Sequence, residues 1–302
     1  MAEKTTRKFA YVTLLLNSGY LPGSLALAKS LRDSGSTIPL ILLLSKSNIP
    51  FETYNILTSS GYFERIINID SDLIASKAEE RYQLDEYLKR SDLHLAMSKL
   101  NVWRLMDYDR IVYLDSDMLV RGNIDHLFND HEQELKPTDI IAASDSGWPD
   151  IFNSGLFIIK PSIEVFEKLH TFHRENNSFD GADQGLLNEF FNLRGTETGC
   201  HWYRLPFTYN CTLNSNYEYL PALIRFKDEI KVFHFIGLNK PWKNYNFCFN
   251  PTYAKIFNGE QDNLYALWWN TFQSIQIDTA STSYTGIRLL EASENLQRSF
   301  AD

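Results

Sequence analysis

Cysteine is scarce: Cys200, Cys211 and Cys248 are the only three in 302 residues, an odd number with no metal-type spacing. That excludes a disulfide framework and is what a reducing compartment allows. Positive charge is also short, with 29 Lys and Arg against 38 Asp and Glu and a formal net charge of -9. A phosphate backbone needs clustered cations, so nucleic acid is not an expected partner. One positive pocket on an acidic protein can still take a small anion. No stretch approaches the roughly 18 apolar residues of a membrane span. The N-terminal Met1 to Lys8 has no apolar core of a secretory leader. A cytoplasmic protein without membrane association is therefore expected. The glycosylation sequons at Asn176 and Asn210 read as chance matches on the same ground. Internal repeats and low-complexity segments are lacking too.

What is present is a globular core: 44% of residues are apolar and 14% aromatic, which rules out wholesale disorder. Apolar runs and helical patterns alternate. Lys8 to Leu16 reads as a buried strand, Pro22 to Asp33 as a helix closed by Gly35, and Ile38 to Leu44 as a second strand. Pro50 to Ser60 (helix) and Ile66 to Asp70 (strand) continue the series, which predicts βαβ units. Residues 71 to 94, charged and irregular, read as a mobile loop. Leu95 to Met106 is expected to be helical and Arg110 to Leu114 a strand. Strands follow near Ile140 to Ala143 and Gly155 to Ile159, then helices over Ser162 to Glu175 and Ala182 to Phe191. Trp202 to Phe235 reads as an aromatic-rich strand region, and Asp278 to Gly286 as a flexible joint. A transferase domain over residues 1–250 and a helical segment and tail over 251–302 are expected.

Chemistry concentrates at Asp115-Ser116-Asp117, which directly follows the Arg110 to Leu114 strand. Ligands in open α/β sheets bind beyond the carboxyl ends of strands. In an extended segment residues i and i+2 share a side, so both carboxylates can face one cation. Oxygen ligands suit Mn²⁺, with Mg²⁺ as the alternative, and either would bridge to a diphosphate. A solvated turn or a helix cap at Asp117 is the plainer reading. His234, inside the apolar run Val232 to Ile236, is a third candidate ligand, and a lone His on such a strand is more often a satisfied core residue. It is followed by Gly237, where backbone can approach a ligand, and by Lys240, a point charge suited to a departing phosphate. Phe152-Asn153-Ser154-Gly155 offers amide and backbone donors. Phe179 to Gly185 holds Asp180, Asp183 and Gln184 at an expected helix start, where either aspartate could simply be an N-cap.

In order along residues 9 to 245, these segments resemble glycosyltransferase family 8, and within it the self-glucosylating members that prime glycogen. His-Phe-Ile-Gly-x-x-Lys-Pro-Trp at 234–242, downstream of the acidic motif and Phe-Asn-Ser-Gly, carries most of the specificity. The resemblance implies a single-domain, Rossmann-like α/β nucleotide-sugar fold of GT-A type, with a mostly parallel central sheet and flanking helices. It further implies Mn²⁺ on Asp115, Asp117 and His234, and UDP-glucose as donor. Leu14, Leu16, Asn17, Tyr20 and Arg90 would face the nucleotide, Gly237 and Lys240 the diphosphate, and Ser116 would also contact the UDP-sugar. Lys99, Asn153, Ser154, Asp180, Asp183 and Gln184 would face the sugar. Catalytic roles fall to Asp183, beneath the anomeric carbon of an α-retaining reaction, and to Lys240. Leu14-Leu15-Leu16 departs from the small hydroxyl residues usual in the family.

The stretch Leu205 to Asn210 resembles the segment preceding the family's acceptor tyrosine, which puts Tyr217 at the acceptor position, with Tyr219 the competitor among 16 tyrosines. The implied partners are the protein's own tyrosine and growing glucan, a second copy in a homodimer, and glycogen synthase. No segment here matches the family's synthase-recruiting tail. The alternative is transfer of glucose or galactose to a separate small acceptor such as inositol.

Overall fold

A computed structural model describes residues 7–129, 135–213, 220–243 and 264–299. Two compact units share the chain: one comprises residues 1–12, 71–114 and 125–205, the other residues 13–70, 115–124 and 206–302. No helix among the described residues is long and apolar enough to cross a membrane.

The second unit contains α1 (Leu21–Asp33), which opens on Pro22 and closes before Gly35, whose φ of +85° suits glycine. β2 (Leu40–Leu44) and β3 (Arg65–Asn68) pair in parallel across α2 (Phe51–Ser59), the βαβ unit the alternation predicts. The first strand, β1 (Phe9–Leu15), has its opening residues in the first unit and its last in the second.

In the first unit β1 pairs in parallel with β4 (Arg110–Leu114), and β7 (Phe152–Ile159) lies antiparallel to both β4 and β6 (Asp139–Ser144). β8 (His201–Leu205) closes the order β1-β4-β7-β6-β8, parallel to β6. β7 thus alone opposes its neighbours, in a sheet that is mixed but mostly parallel, as expected. Trp103, Phe157, Tyr113 and Phe191 stack in the core behind it. Phe152 to Gly155 belongs to β7 itself and does not merely precede a strand, because all eight of its residues are buried.

Residues 71–94 are not a structureless loop. They form α3 (Ala78–Gln83), a π-turn over Leu84–Leu88 and a 3₁₀ turn over Ser91–Leu93. Their charged composition hid two anchors, Glu80 and Leu84, both fully buried. α4 (Ile163–Glu175), capped by the Ser162 hydroxyl, and α5 (Asp183–Asn188) follow β7. α6 (Gly195–Thr198) leads into β8.

The second unit adds β5 (Met118–Val120), β9 (Cys211–Thr212) and β10 (Val232–His234) as a small sheet, with β10 central. α7 (Leu220–Phe226) lies between β9 and β10 in the chain, so Trp202 to Phe235 is not wholly strand. α8 (Leu264–Gln273) then contributes Trp268, Trp269 and Phe272 to the unit's core. β11 (Gln276–Asp278) and β12 (Ser283–Thr285) form a hairpin where a flexible joint was expected. Ile277 and Tyr284, buried cross-strand partners, hold it to the core. α9 (Gly286–Ser299) ends the described chain.

Candidate active site

The second unit assembles the acidic motif. Asp115 follows β4 in sequence, the backbone bends through Ser116, and β5 pairs antiparallel with β10, which sets His234 opposite Met118. One ligand atom each from Asp115, Asp117 and His234 lies within 4.8 Å of the others. His234 Nε2 sits 3.2 Å from Asp117 Oδ1 and 4.0 Å from Asp115 Oδ2. The Phe235 N–H donates to the Asp117 carbonyl at 3.0 Å, so the strand that carries the histidine also pins the motif's backbone.

Lys240 completes the cluster. Its buried ammonium donates to Asp117 Oδ2 and, at 2.8 Å, to the Phe235 carbonyl, and lies over the Tyr20 ring. Burial pushes the Asp117 carboxyl up, but Lys240 and His234 outweigh it and hold the group well below the usual carboxylate range. The residues fit a divalent cation: two hard oxygen donors and one imidazole converge, and the Asp117 carboxylate is already stabilised as an anion.

Three residues to which sequence reasoning gave no role in the cluster, Asn210, Gly23 and the motif's Trp242, support it. Asn210, which read as a chance sequon and as the end of the Leu205 to Asn210 stretch, is buried, and its Oδ1 lies 3.0 Å from His234 Nδ1. It can accept a hydrogen bond from Nδ1–H, which fixes the ring with Nε2 toward the carboxylates, where it can ligate a cation. Gly23 of α1 faces the motif: a Cβ there would meet the Ser116 carbonyl at 2.5 Å and the Trp242 ring at 2.7 Å. Trp242 in turn donates from its indole to the Gly19 carbonyl at 2.9 Å and packs edge-on to Tyr20. Asn17 accepts from the Gly19 N–H and caps the short turn Ser18–Tyr20. Leu14 is buried, and Leu16 is partly so. Gly237 has a φ of +79° and open space where a Cβ would stand.

The first unit gathers the other candidates. Asp183, at the first turn of α5, is 6% exposed. Its Oδ2 accepts from the Ser154 hydroxyl at 2.7 Å and pairs with the Lys99 ammonium at 2.6 Å. Lys99 is held over the Tyr113 ring and also donates to the Ser154 carbonyl. Gln184 accepts from the Ser154 N–H at 3.2 Å and donates to Asp145 Oδ2 at 3.1 Å, an oxygen that Asn153 also reaches. Asp145 is thus a member that no motif announced. Asn188 is another, clamping α5 to β7 through both backbone groups of Phe152.

Asp180 is turned to the backbone, accepting from the N–H groups of Ala182 and Gly185 and the Ser178 hydroxyl. Burial, with Asp183 adding to it, pushes its carboxyl above the ordinary range. Arg90 makes a two-pronged pair with Asp92, at 2.8 and 2.9 Å, just after Lys89, a non-glycine residue at a φ of 53°. Tyr217 and Tyr219 lie outside the described residues.

A mixed α/β sheet with flanking helices and an Asp-Asp-His cluster after a strand define the class as a GT-A type glycosyltransferase. The fold is shared with a galactosyltransferase, LgtC, at a TM-score of 0.53 and 16% identity, over 90% of this chain and 98% of that one. It is also shared with the glycosyltransferase GlyE of Streptococcus pneumoniae, at a TM-score of 0.56 and 19% identity, over 96% and 64% of the two chains. The family model for glycosyl transferase family 8 matches residues 11–246, and the chain belongs to that family. Its relatives include glycogenin of Komagataella phaffii, 36% identical over 88% of this chain and 64% of that protein. Glycogenin-1 of Mus musculus is 37% identical over 87% and 75% of the two chains. Human glycogenin-2 is 36% identical over 90% of this chain, which spans 52% of it.

Proposed function

We propose that the protein is a metal-dependent, α-retaining glucosyltransferase that takes glucose from UDP-glucose, attaches it to its own tyrosine and extends it as a short α-1,4-glucan, a primer for glycogen. The observation that carries this reading is the convergence of Asp115, Asp117 and His234 with Lys240 bonded to Asp117, in a chain more than a third identical to glycogenins over most of its length. Mn²⁺, or Mg²⁺ in its place, would be held by Asp115, Asp117 and His234 and would supply Lewis-acid charge to the leaving diphosphate.

The chain's own groups do the rest. Lys240, released from Asp117, brings its ammonium to the diphosphate as charge develops there, with Gly237 giving backbone access. Asn17 and Tyr20 serve the nucleoside, and Arg90 exchanges Asp92 for the same ligand. At the hexose, Asp183 is the carboxylate set against the developing positive charge of the anomeric carbon. Lys99 and Ser154 hold it in place. Gln184, Asn153 and Asp180 read the sugar hydroxyls. Tyr217 is the acceptor in this reading. A homodimer, a cytoplasmic setting and glycogen synthase as partner belong to the same proposal.

The test is intact mass after incubation with UDP-glucose and Mn²⁺. The protein should gain successive hexose units, and Tyr217→Phe should abolish the gain while UDP release continues. Unchanged mass with UDP released, and turnover supported by an added polyol, would shift the reading to a separate small acceptor.

A further inference from the structure

Glu80 has no part in the roles above, yet it is fully buried, at 0% exposed, in α3. Both oxygens of its carboxylate are engaged. Oε1 accepts from the Ser178 N–H at 2.8 Å, and Oε2 accepts from the Lys77 N–H at 2.7 Å and lies 3.2 Å from His173 Nε2. His173 is itself buried, in the last turn of α4. Burial pushes the Glu80 carboxyl up, and the bonds from His173 and the two N–H groups outweigh it.

The same two segments meet again on either side. The Ser76 hydroxyl donates to the Gly181 carbonyl at 3.0 Å. Gly181, at a φ of +79°, packs so tightly on the Glu80 carbonyl that no Cβ fits. The Lys77 ammonium donates to the Asn176 carbonyl. Residues 76–80 therefore grip residues 176–181 at four points, and the gripped segment runs straight into Ala182 and Asp183.

A buried carboxylate and imidazole are an expensive way to hold two helices together, since apolar side chains of similar volume do it as well or better. A carboxylate differs from them in giving a fixed acceptor for a chosen backbone N–H, which sets the direction of a turn. We propose that Glu80, oriented by His173, is a positioning residue for the hexose end of the donor: it fixes the turn at Ser178–Gly181 and through it the carboxylate of Asp183 against Lys99 and Ser154. This rests on the reading of the Asp183 cluster as the hexose end.

The experiment uses the full chain with Mn²⁺ and compares Glu80→Gln, His173→Leu and His173→Gln with the wild type. Glu80→Gln keeps the shape but turns an NH₂ toward one of the N–H donors. His173→Gln keeps a donor at similar reach. Three quantities are read: kcat and KM for UDP release from UDP-glucose, the Kd of UDP by calorimetry, and amide hydrogen exchange over residues 176–185.

Glu80→Gln and His173→Leu are expected to lower kcat/KM about tenfold, the scale of a mispositioned reacting group. Exchange over 176–185 should quicken while the Kd of UDP, which lacks the hexose, stays within about twofold. His173→Gln should recover most of both losses. Exchange unchanged in Glu80→Gln would overturn the proposal, as would UDP affinity falling in step with kcat/KM. If Glu80→Gln does not fold, the two His173 variants carry the same comparison. A wild type that releases no UDP from UDP-glucose sinks the transferase reading instead, and the exchange arm still decides whether Glu80 holds the turn.

Discussion

Asp117→Asn is expected to cost the metal-free protein about 3 kcal/mol, the scale for removing one partner of a buried ion pair. Asp115→Asn should cost less, since its carboxylate is the more exposed of the two. The asymmetry comes from the surroundings of the two carboxylates. Asp117 is 10% exposed in its side chain and engages Lys240 with one oxygen and His234 with the other, whereas Asp115 is 27% exposed and 4.0 Å from His234. Without the Asp117 charge, the Lys240 ammonium stays buried against the Phe235 carbonyl, 2.8 Å away. An amide in place of Asp117 also points a donor at one of two donors.

The pH dependence has a definite sign. A carboxyl held below its ordinary range contributes stability that is fully present above the unfolded value, about 3.9 for aspartate. That contribution fades as pH falls through the lower folded value. The gap between wild type and Asp117→Asn should therefore be full at pH 7 and close only below about pH 4. Urea unfolding in EDTA at pH 7 and pH 3.5 measures it. Mn²⁺ titration followed by electron paramagnetic resonance should show both variants losing most of their metal affinity. Equal stability losses for the two variants would refute the electrostatic argument. Undiminished Mn²⁺ affinity in Asp117→Asn would refute the metal assignment.

Gly23→Ala puts a methyl where the Ser116 carbonyl and the Trp242 ring now stand, 2.5 and 2.7 Å from the new carbon. The second unit should lose about 1–3 kcal/mol in thermal unfolding, with weaker Mn²⁺ binding because the clash falls on the motif's own backbone. Asn210→Ala removes the group that fixes the His234 ring, and Mn²⁺ affinity should drop about tenfold while folding is kept. Unaltered affinity would leave Asn210 a packing residue only.

The sequence by itself determined where the chemistry is written. An apolar strand that stops at Asp115-Ser116-Asp117, and His234 inside a second apolar run before Gly237 and Lys240, are local patterns. Local patterns are what hydrophobic periodicity and motif spacing register. The alternation that predicts β1 to β4 with their helices was legible for the same reason. Tertiary structure alone decided who holds these residues in place. Asn210 meets His234 only because β9 and β10 pair, Gly23 meets Ser116 only because α1 lies against the turn before β5, and Trp242 reaches Gly19 across 223 residues. Residues 71–94 misled because composition reports average polarity, while one buried carboxylate with both oxygens engaged helps to order a charged segment. The hairpin at 276–285 was hidden likewise, since its two buried side chains, Ile277 and Tyr284, stand among polar neighbours and reveal themselves only when paired. A pairing between distant side chains leaves no trace in the period of either segment, so the clusters were readable as parts and their supports were not.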